Sequence, residues 1–229
     1  LNSPEKKIIT IEDPIEYQLH GVNQIHVKPQ IGLTFANGLR SIVRQDPDII
    51  MVGEIRDAET ADIAIQAALT GHMVFSTVHT NDSAGAIARL SDMGIEHYLM
   101  ASALVGVLAQ RLVRKICLHC KERVKVSSQY LDKAGSEINN LLQVDELFEG
   151  KGCEMCNQTG YRGRIGIYEL LLIHEKIHEM ILQKTSSLNI KEKARSLGMI
   201  TLREDGWQKV KDGITSVSEI YRVTLEEEV

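Results

Sequence analysis

The chain has little of what nucleic-acid-binding, membrane-spanning and exported proteins need. Aromatic residues make up 4% of the 229 positions, too few for a platform on which bases stack. Positive charge is in deficit: 26 Lys and Arg face 31 Asp and Glu, a formal net charge of -5, whereas a non-specific DNA or RNA binder carries a basic surface. No apolar run approaches the ~18 residues that cross a bilayer. The start, Leu1-Asn2-Ser3-Pro4-Glu5-Lys6-Lys7, has neither a Met nor the apolar core of an export signal, and it reads as cut from something longer. No G-x-x-x-x-G-K-[ST] occurs, and Lys184-Thr185 lacks the glycines, so the loop that cradles nucleotide phosphates is not encoded. What is there, 43% hydrophobic and 25% charged residues, is the balance of a globular protein with one core, or one core and a small satellite.

Three segments follow from the pattern: about 1–115 with short strands and helices in alternation, about 116–164 held between two cysteine pairs, and 165–229, mostly helical. In the first, Lys7 to Ile11 is a β-branched run that ends in Glu12-Asp13-Pro14, and Gln24 to Val27 alternates like a strand. Thr34 to Val43 predicts a helix, with Arg40 and Arg44 on one face. Ile49-Ile50-Met51-Val52 and His72 to Val78 are apolar runs without alternation, which suggests strands covered on both faces. Between them a helix starts at Asp57 or Ala58, with Asp57 suited to the N-cap and Gly71 to the turn beyond Leu69. Ser83 to Met93 reads as a helix. Tyr98 to Leu112 reads as a longer one, with Leu104, Val107, Leu108 and Leu112 in helical spacing. This order points to an α/β sheet of parallel strands. Further on, Ser127 to Glu149 predicts a helical insertion with a loop. Thr201 to Glu204 and Ser216 to Glu219 fit capping boxes, Gly198 and Gly213 fit helix stops, and Trp207 belongs to a core.

Open α/β sheets bind ligands at the carboxyl ends of their strands. Three such ends carry polar chemistry: Thr10-Ile11-Glu12-Asp13, then Val52-Gly53-Glu54, then Val78-His79-Thr80-Asn81. An apolar strand ending in Glu54 has the pattern of an acid that holds Mg²⁺ through water beside the phosphates of ATP. Many strands end in Glu, however, and the pattern alone is weak. A second acidic end adds weight, because water attacking a γ-phosphate needs a carboxylate to orient or deprotonate it. The third end offers an imidazole. His20, His26, His97, His119, His174 and His178 read as structural residues, and Arg40, Arg44, Arg111 and Arg114 as solvated helix residues.

Cys117-x-x-Cys120 and Cys153-x-x-Cys156 are the strongest feature readable from residues alone. Each pair brings two thiolates to one side of a turn, as tetrahedral Zn²⁺ requires. Two disulfides, free thiols or a redox role are the alternatives, and the paired knuckles favour structural zinc over them. The gap between the pairs exceeds the usual zinc-ribbon spacing, so an insertion must loop out.

The strings ITIEDPIEY, VRQDPDIIMVGEIRDAETADIAIQAALTGHMVFSTVHTND, LAQRLVRKIC and GCEMCNQTGYRGRIGIYELL together resemble the secretion and pilus assembly ATPases, the hexameric motors of type II secretion and type IV pilus extension. The resemblance runs from Leu1 to about Thr224. It implies a partial RecA-like ATPase core, a tetracysteine zinc module and a helical C-terminal subdomain. It implies that Glu12 is the catalytic carboxylate of an Asp box, with Asp13 its second acid. It implies that Asp46 to Arg56 is an atypical Walker B with Gly53 where the standard motif has Asp, and that Glu54 acts on Mg²⁺ through water. His72 and His79 match the histidines of a His box, and Arg56 matches a family arginine with a structural or phosphate-sensing role. Cys117, Cys120, Cys153 and Cys156 match the zinc ligands of secretion and pilus-extension motors, which retraction motors generally lack. The implied cofactors are ATP, Mg²⁺ and Zn²⁺. The implied partners are further copies in a hexamer, an inner-membrane platform and cytoplasmic-docking proteins, with no nucleic acid. The implied place is the cytoplasm, peripheral to the bacterial inner membrane.

Because the phosphate loop lies upstream in that family, the chain is expected to be a C-terminal part of a motor, binding ATP poorly alone. Its sheet is expected to have an unpaired edge where the phosphate-loop strand belongs. Taken alone, it could instead be a non-catalytic docking module.

Overall fold

Ile8, Ile9 and Ile11 are β-branched and buried, which favours the extended backbone that the computed structural model shows. Residues 1–125 and 146–224 are described. Strands β1 (Ile8–Glu12), β2 (Asn23–His26), β3 (Ile49–Val52) and β4 (Met73–Ser76) form a parallel sheet in the order β2-β1-β3-β4. Ile11 pairs with Ile25 on one side and Val52 on the other, and Val52 pairs with Ser76. Because the strands are parallel, their carboxyl ends share one edge of the sheet.

Helix α1 (Phe35–Val43) starts where Thr34 accepts a hydrogen bond from the Asn37 N–H, and α2 (Ala58–Leu69) where Asp57 accepts one from the Thr60 N–H. Each cap satisfies a donor that the helix leaves open, at about 1 kcal/mol. Leu39 and Ile42 of α1 are buried, and a Cβ at Gly38 would collide with Ile11 Cδ1, so this glycine sets how closely α1 approaches β1. Helices α3 (Ser83–Asp92), α4 (His97–Ala103), α5 (Glu175–Leu182) and α6 (Ser187–Ser196) follow in chain order, with α4 against α5.

The chain divides into two compact units: Leu1–Thr80, Ala84–Val105 and Leu172–Lys191 form one; Asn81–Ser83, Gly106–Leu171 and Glu192–Val229 form the other. The second contains a long two-stranded ribbon of β5 (Gly106–Ile116) and β8 (Tyr161–Leu172), and an antiparallel pair of β6 (Lys121–Lys125) and β7 (Glu146–Gly150). Helices α7 (Leu202–Lys211) and α8 (Val217–Thr224) complete it. Its core joins Val113, Leu147, Ile167, Leu202, Trp207, Val210, Val217 and Ile220. The Trp207 and Tyr221 rings meet edge to face at 5.4 Å.

Several elements differ from the sequence reading. The helix expected over Tyr98 to Leu112 stops at Ala103, and β5 begins at Gly106. Leucines four apart share a face in a helix and also in a strand, so Leu104, Leu108 and Leu112 do not discriminate, and Val107, whose spacing favours the helix, instead takes the opposite, half-buried face of the strand. Along β5 burial alternates with period two up to Val113, which decides for the strand. Strand β4 is shorter than expected and is not covered on both faces: it lies at a sheet edge, with Met73 50% and Phe75 44% exposed. The helical reading of 165–229 holds only from Glu175, because β8 continues to Leu172. Of the insertion expected over Ser127 to Glu149, the part from Glu146 is strand β7, and residues 127–145 lie outside the described residues.

Capping at Thr201 is reciprocal with Glu204, as expected. At Ser216 it is not: the hydroxyl accepts the Glu219 N–H at 3.4 Å, but the Glu219 side chain turns elsewhere. Glu219 is 1% exposed and accepts bonds from the Arg114 backbone N–H at 2.9 Å, the Arg114 guanidinium at 2.6 Å and Arg222 at 2.9 and 2.8 Å. Arg114 therefore lies on a strand and fastens α8 to β5, rather than being a solvated helix residue. Burial pushes the Glu219 carboxyl up, but the bonds from Arg222 and Arg114 outweigh it and bring the group down to about 2. A lowered folded-state value means a contribution that is complete above the ordinary 4.5 and is lost as pH falls towards about 2. Glu219→Gln should cost about 1–3 kcal/mol at neutral pH, both arginines being half exposed. Thermal melts should show the gap between variant and wild type narrowing as pH drops to about 3; an equal gap at both pH values would contradict this account.

Candidate functional site

The register β1-β3-β4 sets three sequence-predicted residues at neighbouring strand ends. Glu12 is the last residue of β1, Glu54 follows β3 by two, and His79 follows β4 by three. Beyond the sheet, pairing continues: the Gly53 N–H donates to Ile11 O at 2.8 Å, the Ile55 N–H to Thr77 O at 2.9 Å, and Thr77 Oγ1 to Gly53 O at 2.8 Å. These bonds extend the edge past the strands and fix where Glu54 emerges. A Cβ on Gly53 would stand 3.2 Å from Ile11 O and 3.3 Å from Glu12 Cα. A side chain at position 53 would thus crowd the backbone that carries Glu12, which gives a physical reason for glycine there.

The Glu54 carboxylate is shared. Arg56 Nη2 donates to Oε1 at 2.5 Å, and His79 Nε2 lies 3.1 Å from Oε2. Arg56 holds Glu54 below the usual carboxylate range, burial opposes this, and His79 adds to the lowering. Glu54 in turn raises the Arg56 guanidinium, with a further push from the charge on Asp13. Asp13 Oδ1 itself lies 4.0 Å from His26 Nε2. Glu12, Glu54, Arg56, Asp13 and His79 therefore belong to one edge of the sheet. His72 does not join them: it precedes β4, at the opposite end of that strand. Its Nδ1 is 3.0 Å from Ala67 O and 3.2 Å from Thr70 Oγ1, against the end of α2.

Two residues at this edge were not singled out from the sequence. Thr10 Oγ1 donates to Glu12 Oε1, and Gln24 Nε2 donates to the same oxygen at 2.9 Å. Thr10 stands two before Glu12 on β1, hence on the same face, and that spacing was the available signal. Gln24 comes from β2, and only the strand pairing Thr10↔Gln24 brings it in.

A second cluster lies in the other unit. The sulfurs of Cys117, Cys120, Cys153 and Cys156 all lie within 4.8 Å of one another. Individual separations are 3.9 Å (Cys117 to Cys153), 3.8 Å (Cys120 to Cys156) and 3.7 Å (Cys153 to Cys156). Four thiolates each about 2.3 Å from a tetrahedral ion stand about 3.8 Å apart, so the donor set fits a metal, and these separations are too long for disulfides. Burial pushes the Cys120 thiol up to about 12 and the Cys153 thiol upward. At Cys156 burial is outweighed by the backbone N–H groups of Cys153 and Gly160, which donate to the sulfur at 3.2 and 3.3 Å, and the thiol falls to about 6. The cluster can bind a metal, and its four thiols would close a tetrahedral shell. His119, in the first knuckle, is not part of it.

The family model "Type II/IV secretion system protein" matches residues 1–222. The chain is 53% identical over 225 residues to the "Type IV pilus assembly ATPase PilB" of Thermus thermophilus and 51% identical over 229 residues to the "Type II secretion system protein E" of Dickeya dadantii. These alignments take in 98% and 99% of this chain but 25% and 44% of those proteins, so it spans less than half of either. Among solved structures it resembles the pilus retraction motor PilT with bound ADP, at 28% identity and a TM-score of 0.68, over 95% of this chain and 52% of that one. The Yersinia pseudotuberculosis ATPase DotB, at 22% identity and a TM-score of 0.66 over 98% of this chain and 51% of that one, shares the fold. With strand ends, tetracysteine cluster and nearly all of the C-terminal helices inside the matched span, the chain belongs to the type II/IV secretion system protein family and has its RecA-like α/β ATPase fold.

Proposed function

We propose that this chain is the acid-bearing part of a hexameric motor that hydrolyses ATP to drive type II protein secretion by assembling a pseudopilus. The observation that carries the proposal is the parallel register that brings Glu12, Glu54 and His79 to one sheet edge. Type IV pilus extension is the second reading, favoured by the 53% identity to the Thermus pilus assembly ATPase. In either case the motor works in the cytoplasm against the inner membrane, with a membrane platform and cytoplasmic-docking proteins as partners. No helix among the described residues is long and apolar enough to cross a membrane.

Mg²⁺-ATP, when bound, supplies the phosphoryl group and the charge that polarises it. In the proposed mechanism Glu12 accepts a proton from the attacking water. Glu54 would hold Mg²⁺ through water, and Arg56 and His79, which pair with Glu54 at the same edge, would offer donors to phosphate oxygens, with the charge of Asp13 acting on Arg56. His72 braces the start of β4 against α2. These 229 residues contain no glycine-lysine cradle, so alone they fit the triphosphate incompletely. The proposal assigns the cradle to another segment of the motor, its strand lying along β4, whose exposed Met73 and Phe75 suit such a neighbour. The division into a core at 1–115, a cysteine module at 116–164 and a helical part at 165–229 is our functional reading of the same chain. Zinc is the proposed metal of the four thiols, because a closed all-sulfur set with about 3.8 Å edges suits it and leaves no open position for catalysis.

Glu12→Gln in the whole motor should abolish ATP turnover while ATP binding persists, measured by phosphate release and by calorimetry. Substantial residual turnover would refute the role. The 229-residue chain by itself should show no micromolar ATP affinity in the same calorimeter, and a tight isotherm would contradict the assignment of the cradle elsewhere. Elemental analysis should find one zinc per chain. Cys153→Ser should lose it and lower the melting temperature, whereas metal-free protein with unchanged stability would sink the structural-zinc reading.

A further inference from the structure

We propose that Thr10 and Gln24 are positioning residues that hold one carboxyl oxygen of Glu12, leaving the other to take the proton of the attacking water. This rests on the proposed role of Glu12 and adds how its carboxyl group is oriented. Both contacts converge on Oε1, from Thr10 Oγ1 and from Gln24 Nε2 at 2.9 Å. Oε2 accepts no hydrogen bond from the described residues. An unrestrained carboxyl group turns broadly about its terminal torsion, so its two oxygens exchange places. Two donors on one oxygen fix the plane and distinguish the pair.

The strand pairing makes this a built arrangement. Thr10 is 3% exposed and shares the face of β1 with Glu12, and its register partner on β2 is Gln24. The Gln24 amide is itself locked. Its second N–H donates to Tyr17 O at 3.0 Å, and its Oε1 accepts the Leu19 N–H at 2.7 Å. Turning the amide over would set its oxygen against two acceptors and its NH₂ against a donor. Gln24 therefore presents an N–H to Glu12 in one orientation, and the segment holding Tyr17 and Leu19 is what keeps it there.

In the step served, the water oxygen bonds to the γ-phosphorus, the bond from that phosphorus to the ADP oxygen breaks, and the water proton passes to Oε2. A carboxyl group free to turn would meet the water in the wrong plane for much of the time. Misplacement on the scale of an ångström costs about a hundredfold.

The test uses the whole motor in which the proposed function places this chain, with Thr10→Val, Thr10→Ser, Gln24→Leu and Glu12→Gln compared side by side. Thr10→Val keeps the buried volume and removes the donor, and Thr10→Ser keeps the donor. Thr10→Val and Gln24→Leu should each lower kcat about ten- to a hundredfold with KM for ATP and melting temperature unchanged. Thr10→Ser should restore most of what Thr10→Val loses. If Glu12→Gln is dead but Thr10→Val and Gln24→Leu turn over like wild type, the positioning idea is wrong and the role of Glu12 stands. Failure of serine to recover the rate, or a loss seen only in KM, also overturns it. If Glu12→Gln itself turns over, it is the proposed function that has failed. A readout independent of activity is the Gln24 side-chain amide in NMR spectra of the 229-residue chain. Its NH₂ signals should move on Glu12→Ala, and an unmoved pair would show that the contact is absent.

Discussion

Everything proposed for the first unit depends on parallel hydrogen bonding of β1 to β3 and of β3 to β4 in one register. Parallel strands deliver their carboxyl ends to a common edge, so backbone pairing alone makes residues distant in sequence neighbours, and the Glu54–His79 contact follows from it. Glu12, Glu54 and His79 are 42 and 25 positions apart, and the pairing of Ile11 with Val52 and Val52 with Ser76 closes both gaps. A slip of one residue would turn each side chain to the other face. Packing resists that slip: Ile11 Cδ1 fills the space that Gly38 leaves, and Ile8, Ile9, Thr10 and Ile11 are all buried, so both faces of β1 are already filled.

The edge then organises itself by charge and by size. Gly53 lets the backbone carrying Glu12 lie close to β3, and Arg56 and His79 satisfy both oxygens of Glu54. Glu12 is treated differently, with two donors on one oxygen. Two acids at one edge thus receive opposite treatment, one fully engaged and one half engaged, and that difference is the structural basis for assigning them different tasks. In the second unit the same logic serves structure: Glu219 is buried and surrounded by arginine donors, and the cysteine sulfurs stand at the separations of a tetrahedral shell.

Much of this could be read in the sequence where local chemistry was decisive. Asp57 caps the helix expected of it, Ile49 to Val52 is a strand, and the two knuckles meet. Where a pattern is shared by two structures, it failed. Leucines spaced by four suit a helix and a strand equally, which hides β5, and an apolar run gives no count of its neighbours, which hides the place of β4 at a sheet edge. At the site, the acids and His79 announced themselves at strand ends. Gln24 could not, because nothing in residues 24–27 shows which strand they lie beside. Ser216 and Glu219 fitted a capping box, yet arginine partners from a distant strand and from one turn along α8 outbid the local bond.

The most direct measurement is a structure of the whole motor with Mg²⁺ and a non-hydrolysable ATP analogue. The account predicts the γ-phosphate at the carboxyl edge of β1, β3 and β4, with a water between it and Glu12 Oε2 and with Glu54 on the metal side. Triphosphate bound at any other face of this sheet, with Glu12 turned away from it, would contradict the account.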